Sequence, residues 1–591
     1  MAAAKNVGFA YGFNVHNEDA SIHPRPDTDD IPEAGHLTRD VIYGSNYVAS
    51  HIVHLYHLAA LDFIDPAAAG LDKAPFCPSH APDQSDPLYP YYYRIPTAMA
   101  GSGSAGTYNL NVYLVAQYVI ALKIRRMCNQ ITAIWGGRAP FVQGLTPGGA
   151  ATSVSQDAID KTREILYEGG VGGTPASPAP GTILSFVGQP TDFALWVADG
   201  ADPAKLPIIG DVSPGAFGGT MLFDTVAVAM FYPEYFWYGN AYERFLAYGV
   251  FEKGDLSNPD ERLLRRGRKI GGDKYPGTPN PLAVLQQNVF ENVANSYYTY
   301  QGTQWKQPLS GETTPEPRKT GAYSWVKSPR YKDLSDPDWG TPVGKPGAVP
   351  YEVGPLARMQ VNGDYYAGFL YDFYTANSVP PVIPVGPFAG VTFPRYGDPA
   401  PNLNNIFGTG GMNIPLSGTL TWPDLNADPY NLTYVGGSAL DRYAARQLEC
   451  WKVANAMVGW LNRLEAKVGQ ATSKTRTPPG DRFYRKSYGW TEAPRGALGH
   501  WMKLGTNGKI EKYQCVVPST WNASPKDGLG IIGPAEKAMT QMFVPDINHP
   551  LEVLRVGHSW DFCTACAVHV VKRKKGGKRE EKVVNIDPTH L

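Results

Sequence analysis

Cysteine is scarce in this sequence, with six residues among 591. So few thiols exclude a disulfide-stapled framework, which small secreted domains build from densely spaced cysteines. Four are scattered along the chain, at Cys77, Cys128, Cys450 and Cys515. The other two, Cys563 and Cys566, stand close together near the C-terminus. This last pair is therefore the candidate for thiol chemistry.

Charge is also sparse and evenly balanced. Lys and Arg number 53 against 54 Asp and Glu, and charged residues make up 18% of the chain, below the roughly 25% of ordinary soluble domains. This balance gives no strong basic field, so no nucleic-acid partner is expected. Aromatic residues reach 12%, which is typical of a subunit that buries much of its surface against another protein. A single large core with long Pro- and Gly-rich loops explains the same composition.

Long apolar runs are missing as well. No stretch of about 18 apolar residues occurs, so no membrane-spanning helix is predicted. Residues 1–10 lack the apolar centre of a signal peptide. Export from the cytoplasm would therefore depend on something other than a leader in this sequence.

The C-terminal cysteine pair belongs to the motif Asp561-x-Cys563-x-x-Cys566-x-x-His569. Two thiols and an imidazole at this spacing are typical metal ligands, and thiolates favour zinc, nickel, copper or iron–sulfur clusters. Asp561 is close enough to Cys563 to orient a ligand or to hold a proton. The motif therefore predicts a metal site.

Three other readings of the pair are weaker. A structural zinc site needs four ligands, and the other Cys/His cluster, Cys77-Pro-Ser-His80, lies far upstream. Haem attachment requires His directly after the second Cys, where Ala567 stands. A redox dithiol requires a thioredoxin-like βαβ context that the flanking residues do not show. What remains is a redox metal site with further ligands from elsewhere in the assembly.

Apolar periodicity predicts helices over residues 36–61, 108–135, 153–167 and 441–468. Ser153 or Ser155 would cap the third helix. In the first helix, His51, His54 and His57 fit packed core histidines better than metal ligands. A β-type fragment is predicted over residues 182–186, strands and turns from residue 489 onward, and a hairpin around the Gly-Gly turn that follows Val571. Residues 1–35 are expected to be irregular.

Nine sequence blocks, taken together, are specific for one family. They are His51-Ile-Val-His54, Gly136-Gly-Arg-Ala-Pro140, Pro147-Gly-Gly149, Tyr323-Ser-Trp-Val-Lys-Ser-Pro-Arg-Tyr331, Glu352-Val-Gly-Pro-Leu-Ala-Arg358, Ala493-Pro-Arg-Gly-Ala-Leu-Gly-His-Trp501, Tyr513-Gln-Cys-Val-Val-Pro518, Thr520-Trp-Asn-Ala-Ser-Pro525 and the terminal motif. In this order they resemble the large subunit of the nickel–iron uptake hydrogenases, the membrane-bound hydrogen-oxidising group. The resemblance runs from about residue 31 to the C-terminus.

The resemblance implies a predominantly helical α+β fold with a central helix bundle and small peripheral β elements. It divides the chain into an irregular N-terminal remnant (residues 1–35), a large-subunit-like domain (36–569) and a maturation peptide (570–591) that a protease removes after His569. The implied activity is heterolytic oxidation of H2, with electrons passed to an iron–sulfur small subunit, because this chain has too few cysteines for clusters of its own.

The resemblance also implies the site residues. Cys563 would be a terminal nickel thiolate, and Cys566 would bridge nickel to an iron that carries CO and cyanide. Arg495 would lie over the open coordination position, paired with Asp561. Pro494 and Ser519 would line the pocket of the diatomic ligands.

Magnesium is the third implied metal, bound by His569 and the backbone carbonyl of Cys515. Further implied partners are a membrane cytochrome b, nickel chaperones and the maturation protease. The expected location is at the membrane, on the periplasmic face, through export with the small subunit. Without an exported partner, the protein would stay in the cytoplasm.

The sequence departs from the family at several positions. The family holds nickel with four thiolates, two from each end of the chain, whereas no Cys precedes Cys77 here. Ser50 replaces an acid, Phe141 a His and Phe562 a Pro. A truncated reading frame, a separate N-terminal fragment or a degenerate, non-catalytic scaffold paralogue would each explain the missing thiolates, and this chain alone is not expected to be competent. A zinc-dependent binding protein is the third hypothesis for its function.

Overall fold

The structure is a computed structural model of the chain. It describes residues 1–11, 31–65, 67–69, 85, 89–95, 99–100, 107–188, 221, 224–225, 228, 232, 235, 238–252, 262–270, 284, 286–300, 305–332, 348–362, 437–475, 485–540, 542, 544, 546, 549–563, 571–573 and 579–581.

Helices supply much of the described structure. They are α1 (Ala2–Ala10), α2 (Glu33–His54), α3 (Tyr89–Tyr92), α4 (Leu110–Gly136), α5 (Gln156–Arg163), α6 (Ile183–Val187), α7 (Pro355–Asn362), α8 (Ala439–Glu465), α9 (Pro518–Asn522), α10 (Pro534–Met539) and α11 (Leu551–Ser559). Two π-helical turns, Leu55–Ala59 and Glu164–Glu168, continue α2 and α5. Among the residues described, none of these helices has the length and apolar character to cross a bilayer.

The three longest helices, α2, α4 and α8, form the centre of the fold. α2 packs against both α4 and α8, and all three contribute to one apolar core. α8 begins at a capping box formed by Ser438 and Asp441. α4 begins after Asn109, whose side chain accepts backbone hydrogen bonds. It is followed by Gly137, whose positive φ of 73° suits glycine. The predicted helices and the central bundle are confirmed, as is Ser155 as the cap of α5.

The strands form small antiparallel sheets. They are β1 (Met99–Ala100), β2 (Thr107–Tyr108), β3 (Leu145–Thr146), β4 (Gly149–Ala150), β5 (Arg244–Glu252), β6 (Arg262–Ile270), β7 (Val289–Asn292), β8 (Tyr298–Tyr300), β9 (Trp305–Lys306), β10 (Thr313–Pro315), β11 (Ser328–Lys332), β12 (Ala348–Val349), β13 (Lys486–Ala493), β14 (Gly496–Leu504), β15 (Ile510–Val516), β16 (Val571–Arg573) and β17 (Arg579–Glu581). The larger sheets have the strand orders β13-β14-β15 and β12-β11-β7-β9, and the remaining strands pair two by two. The pair β16–β17 confirms the predicted C-terminal hairpin.

The sheet β13–β14–β15 matters most for the candidate site. Ala493 at the end of β13 pairs with Gly496 at the start of β14, so Pro494 and Arg495 form the two-residue turn between them. Gly496 has a φ of +132°, and a Cβ there would lie 2.7 Å from the backbone nitrogen of Gly354. A larger residue at position 496 would therefore displace this turn.

Two local expectations are wrong, and a third is incomplete. Residues 2–10 form a helix, although residues 1–35 were expected to be irregular. α1 packs on β13, where Gly489 leaves room, since a Cβ there would lie 2.2 Å from the Ala2 carbonyl oxygen. The predicted β fragment at residues 182–186 is the helix α6, because its apolar side chains are buried in the helical core and this packing overrides local propensity. After residue 489, the helices α9 to α11 accompany the expected strands.

Asp224 is a carboxylic acid buried in the helical core. Its Oδ2 accepts a hydrogen bond from the Tyr56 hydroxyl at 2.5 Å, while its Oδ1 has no hydrogen-bond partner among the described residues. Burial disfavours the charged form and raises the pKa of Asp224 from 3.8 to about 7. The folded protein therefore keeps a proton on Asp224 at a pH where the unfolded chain has lost it.

An Asp224→Asn variant should show a weaker pH dependence of stability than the unmodified protein. Because the folded pKa is raised, the contribution of Asp224 is fully present below pH 3.8 and is lost as the pH rises to about 7. Asn has no proton to lose, and the difference is at most about 4 kcal/mol. Urea midpoints measured across this window test it, with the exposed Asp157→Asn as control. An unchanged pH slope in Asp224→Asn would contradict a buried neutral acid.

Candidate metal centre

The C-terminal motif is held in place by the helix that precedes it. α11 carries Arg555, which is fully buried and donates to the carbonyl oxygens of Asp62 (Nε, 3.0 Å) and Tyr92 (Nη2, 2.6 Å). α11 ends at Ser559, only four positions before Cys563. The position of Cys563 is therefore tied to the core.

Asp561 and Arg495 form the central pair of the site. Nη2 of Arg495 lies 3.0 Å from Oδ1 of Asp561, and Nε of Arg495 donates to the backbone carbonyl of Asp561 at 3.0 Å. Asp561 is buried and has a φ of +52°, in the left-handed region. Burial acts to raise the pKa of Asp561, but Arg495 together with Arg446 and the histidines of α2 outweighs burial and holds this pKa below its ordinary value. The pair is therefore a carboxylate with a guanidinium.

Ser519 joins the same place from α9. Its hydroxyl oxygen accepts a hydrogen bond from the backbone N–H of Cys563 at 2.9 Å. Ser519 is buried, and Cys563 is partly buried. The structure thus brings together the turn between β13 and β14, the start of α9 and the end of α11, with four predicted site residues: Arg495, Ser519, Asp561 and Cys563.

Two polar atoms beside this group have no hydrogen-bond partner among the described residues. They are Oδ2 of Asp561 and Nε of Arg446, which lie 3.9 Å apart. Nη1 of Arg446 donates to the carbonyl of Ser559 at 3.1 Å. Buried polar atoms without a hydrogen-bond partner mark places where a bound group or water completes the structure. Asp561 Oδ2 and Arg446 Nε can therefore each form a further hydrogen bond.

Several residues of the site were assigned no role from the sequence. Arg442 on α8 pairs with both oxygens of Glu352, at 2.8 and 2.9 Å, and its guanidinium lies 3.6 Å from the ring centroid of Trp560. Arg358 pairs with Glu449 and Glu492 behind the turn that carries Arg495. Glu352 and Arg358 lie in one of the sequence blocks that resemble the family. The block marked this segment as important but did not indicate what either side chain does.

The histidines of α2 are packed core residues, as predicted. Nε2 of His51 lies 2.9 Å from Oε1 of Glu449, and Nε2 of His54 lies 2.7 Å from the carbonyl oxygen of His558. Burial lowers the pKa of both imidazoles. They are therefore neutral donors inside the core.

A second polar cluster surrounds Cys515. Nε2 of the neighbouring Gln514 donates to both carboxylate oxygens of Glu291, at 2.8 and 2.7 Å, and Nζ of Lys327 lies 3.8 Å from Oε1. Burial raises the pKa of Glu291. Its Oε2 also accepts a long bond from the Tyr300 hydroxyl at 3.5 Å. Carboxylate oxygens are the ligands that a hard metal ion prefers. Sequence reasoning named Cys515 but missed Glu291.

Cys566 and His569 lie outside the described residues, as do Cys77 and His80. Their predicted roles stay predictions. Among the residues described, no group of three or more His, Cys, Asp and Glu side chains converges as a complete set of metal ligands. Of the two thiols predicted to bind nickel and iron, only Cys563 therefore lies among the described residues.

The candidate site is a partly buried thiol near an Arg–Asp pair in a mixed helical and β fold. The sequence matches the family model of nickel-dependent hydrogenases over residues 25–77, 90–168, 217–367 and 424–569. The chain belongs to this family, and its relatives are hydrogenase large subunits.

Two curated relatives and one solved structure illustrate the match. The periplasmic [NiFeSe] hydrogenase large subunit of Desulfomicrobium baculatum is 31% identical over 94% of this chain and 81% of the relative. The quinone-reactive Ni/Fe-hydrogenase large chain of Wolinella succinogenes is 28% identical over 92% and 82%. The structure of the H2-activated Desulfomicrobium baculatum [NiFeSe]-hydrogenase aligns with a TM-score of 0.58 at 27% identity, covering 96% of this chain and 86% of the other. The fold class predicted from the sequence is confirmed.

Proposed function

We propose that this chain is the nickel- and iron-binding subunit of an enzyme that oxidises H2. The observation that carries the proposal is the meeting of Cys563, Ser519, Arg495 and Asp561 at one place in a chain of the nickel-dependent hydrogenase family. When bound, the nickel–iron group supplies the open coordination position at which H2 is split.

Cys563 and Cys566 hold the metals in this proposal. Their thiolates would hold nickel and iron, since thiolates suit both ions. The resemblance implies two further thiolates, which a separate N-terminal fragment or further coding sequence would supply. Two thiolates alone leave nickel open to competing ligands, so the complete centre requires that source.

Arg495 acts at the open position, and Asp561 orients it. The two bonds from Arg495 to the carbonyl and carboxylate of Asp561 fix the plane of the guanidinium. A fixed guanidinium places positive charge beside the open position, where it would polarise H2 without reorganisation during the reaction. Since the Arg495 side chain is about one third exposed, it also links the site to solvent.

Pro494 and Ser519 line the pocket for CO and cyanide on the iron. The Ser519 oxygen accepts the bond from Cys563 N–H, which leaves the hydroxyl hydrogen available. A hydroxyl group both accepts and donates, so Ser519 can hold Cys563 and donate to a cyanide nitrogen at the same time.

Magnesium belongs to the cluster around Cys515. The Cys515 carbonyl and His569 are its proposed ligands, and Glu291 adds a buried carboxylate held by Gln514. Oxygen donors and retained water suit this ion. The magnesium would link β15 to the chain after Cys566.

The proposed partners follow from what this chain does not carry. An iron–sulfur small subunit accepts the electrons, because the cysteines here are too few for a chain of clusters. A relative named quinone-reactive and another named periplasmic favour a membrane cytochrome b as acceptor and the periplasmic face of the membrane as location. Nickel chaperones load the site, and a protease then removes residues 570–591.

Elemental analysis of the complex with its small subunit tests the proposal. We expect one nickel and one magnesium per large subunit, iron in excess of the small-subunit clusters, and H2-dependent dye reduction. Infrared bands of CO and cyanide should accompany the iron, and intact mass should place the mature end at His569. Zinc in place of nickel and iron would instead indicate a binding protein.

A degenerate scaffold subunit is the competing function. It is favoured by one observation, that no cysteine precedes Cys77 in the printed sequence. A scaffold would co-purify with the same small subunit but contain neither nickel nor the infrared bands. Metal content therefore separates the two functions.

A further inference from the structure

Arg358 lies directly behind the turn that carries Arg495. It belongs to α7, which packs against β5, β6 and α8 and also contacts β14. Its side chain is fully buried, with 0% exposure. A fully buried guanidinium is costly unless its donors are satisfied, so its bonds indicate what it stabilises.

All five N–H groups of Arg358 have acceptors. Nε donates to Oε2 of Glu449 at 2.7 Å, and Nη2 donates to Oε1 of the same carboxylate. Nη1 donates to Oε2 of Glu492 at 2.6 Å. The two remaining N–H groups reach backbone carbonyls, that of Ala493 at 2.9 Å from Nη1 and that of Pro494 at 2.8 Å from Nη2.

The two carboxylates are themselves held by other elements. Glu449 on α8 lies 2.9 Å from Nε2 of His51 on α2. Glu492 on β13 accepts a bond from the backbone N–H of Tyr248 on β5 at 2.5 Å. Arg358 is therefore the point at which two helices and two strands of the core meet the turn at Pro494.

The two carbonyls are the part of this network that bears on function. Ala493 and Pro494 immediately precede Arg495, so their backbone sets the position from which the Arg495 side chain starts. Gly354, one turn before Arg358, packs against the other side of the same turn, since a Cβ there would lie 3.2 Å from the Arg495 carbonyl oxygen. The turn is thus enclosed by the segment that leads into α7.

We infer that Arg358 is a positioning residue for Arg495: by donating to the carbonyls of Ala493 and Pro494, it fixes the turn that holds the Arg495 guanidinium beside Asp561. The expected effect on H2 turnover rests on the proposed function. The position of Arg495 depends only on contacts within this chain. Glu449 and Glu492 orient Arg358, so they affect the position of Arg495 indirectly, through Arg358.

An ordinary core ion pair would behave differently. If Arg358 served only to balance Glu449 and Glu492, its loss would lower stability but leave the folded molecules with unchanged turnover. If it positions the turn, folded and metal-loaded molecules would still turn over slowly. Lys keeps the charge but has three donors on one atom, so it cannot reach both carboxylates and both carbonyls.

The test compares Arg358→Lys with the unmodified chain, each purified as the complex with its small subunit and any N-terminal fragment. We expect nickel and iron content to be retained, kcat for H2 oxidation to fall about tenfold to a hundredfold, and the cyanide bands to shift because Pro494 moves. Arg39→Lys is the control. Arg39 is equally buried and also donates to backbone carbonyls, at Gly149 (2.8 Å) and Pro147 (3.2 Å), in a different turn. It should leave kcat and the bands unchanged.

Unchanged kcat and infrared bands in a metal-loaded Arg358→Lys complex would overturn the inference. Where that variant fails to fold, Glu492→Gln replaces it, since the amide keeps the volume and an acceptor for Arg358. We expect a smaller loss of kcat with a smaller shift in the bands, and unchanged values would again count against the positioning role.

Crystal structures of the unmodified and Arg358→Lys proteins separate this inference from the proposed function. An inactive, nickel-free unmodified complex defeats the proposed function, while a displaced Arg495 in the variant still supports the positioning role. An Arg495 that keeps its distances to Asp561 in the variant defeats the positioning role, whatever the activity.

Discussion

Replacing Cys563 with Ala should leave the purified complex without nickel and without H2 oxidation. A terminal thiolate supplies both charge and a covalent bond to the metal, and Ala supplies neither. The fold should survive, because the bond from the backbone N–H at position 563 to Ser519 does not involve the side chain. Nickel per large subunit, measured by mass spectrometry of the metals, is the direct readout.

The matched control for this result is Cys515→Ser. Cys515 is an exposed thiol whose proposed role belongs to its backbone carbonyl, which serine retains. This variant should keep nickel, iron and activity. If Cys563→Ala retained nickel at the level of the control, Cys563 would not be a ligand and the proposed centre would have to lie elsewhere.

The second large effect is expected from Arg495→Lys. Lys preserves a positive charge but cannot make the paired bonds from Nε and Nη2 to Asp561. We expect full metal content with a loss of kcat of about a hundredfold to a thousandfold, the range seen when one preorganised electrostatic donor is removed from an active site. Nickel analysis and H2-dependent dye reduction on the same preparation give both values.

Arg485→Lys serves as the comparison, because Arg485 is an exposed arginine just before β13 whose Nη2 lies 4.0 Å from Oε1 of Glu511. It should show ordinary turnover. Ordinary H2 oxidation in the Arg495→Lys complex would contradict a role for this guanidinium at the open position.

The helical part of the fold could be predicted from the sequence because its signals are local. The apolar stripe of α2 and the cap of α5 at Ser155 both depend on residues within the helix or next to it. α6 could not be predicted in this way. Its residues have a β-like composition, and only burial against the helical core makes them helical.

The site could be predicted in part, for the same reason. Cys563 and Asp561 are recognisable from their spacing, Arg495 from the sequence block that contains it, and Ser519 from its place between two such blocks. The carboxylates Glu449 and Glu492 carry no such signal, since their function depends on which buried cation they meet, and that is decided by packing between distant segments. Glu291 escaped notice because 223 positions separate it from Gln514.

The left-handed backbone of Asp561 has a consequence for how the enzyme is assembled. Aspartate reaches this conformation more readily than most residues, but still at a cost on the order of 1 kcal/mol, which contacts in the fold offset. The loop between α11 and Cys563 therefore takes its shape from Arg495 and Ser519, not from its own preferences. A newly made chain would present its thiols correctly only after β14 and α9 have docked, so we expect insertion of nickel to follow folding of these elements rather than to direct it.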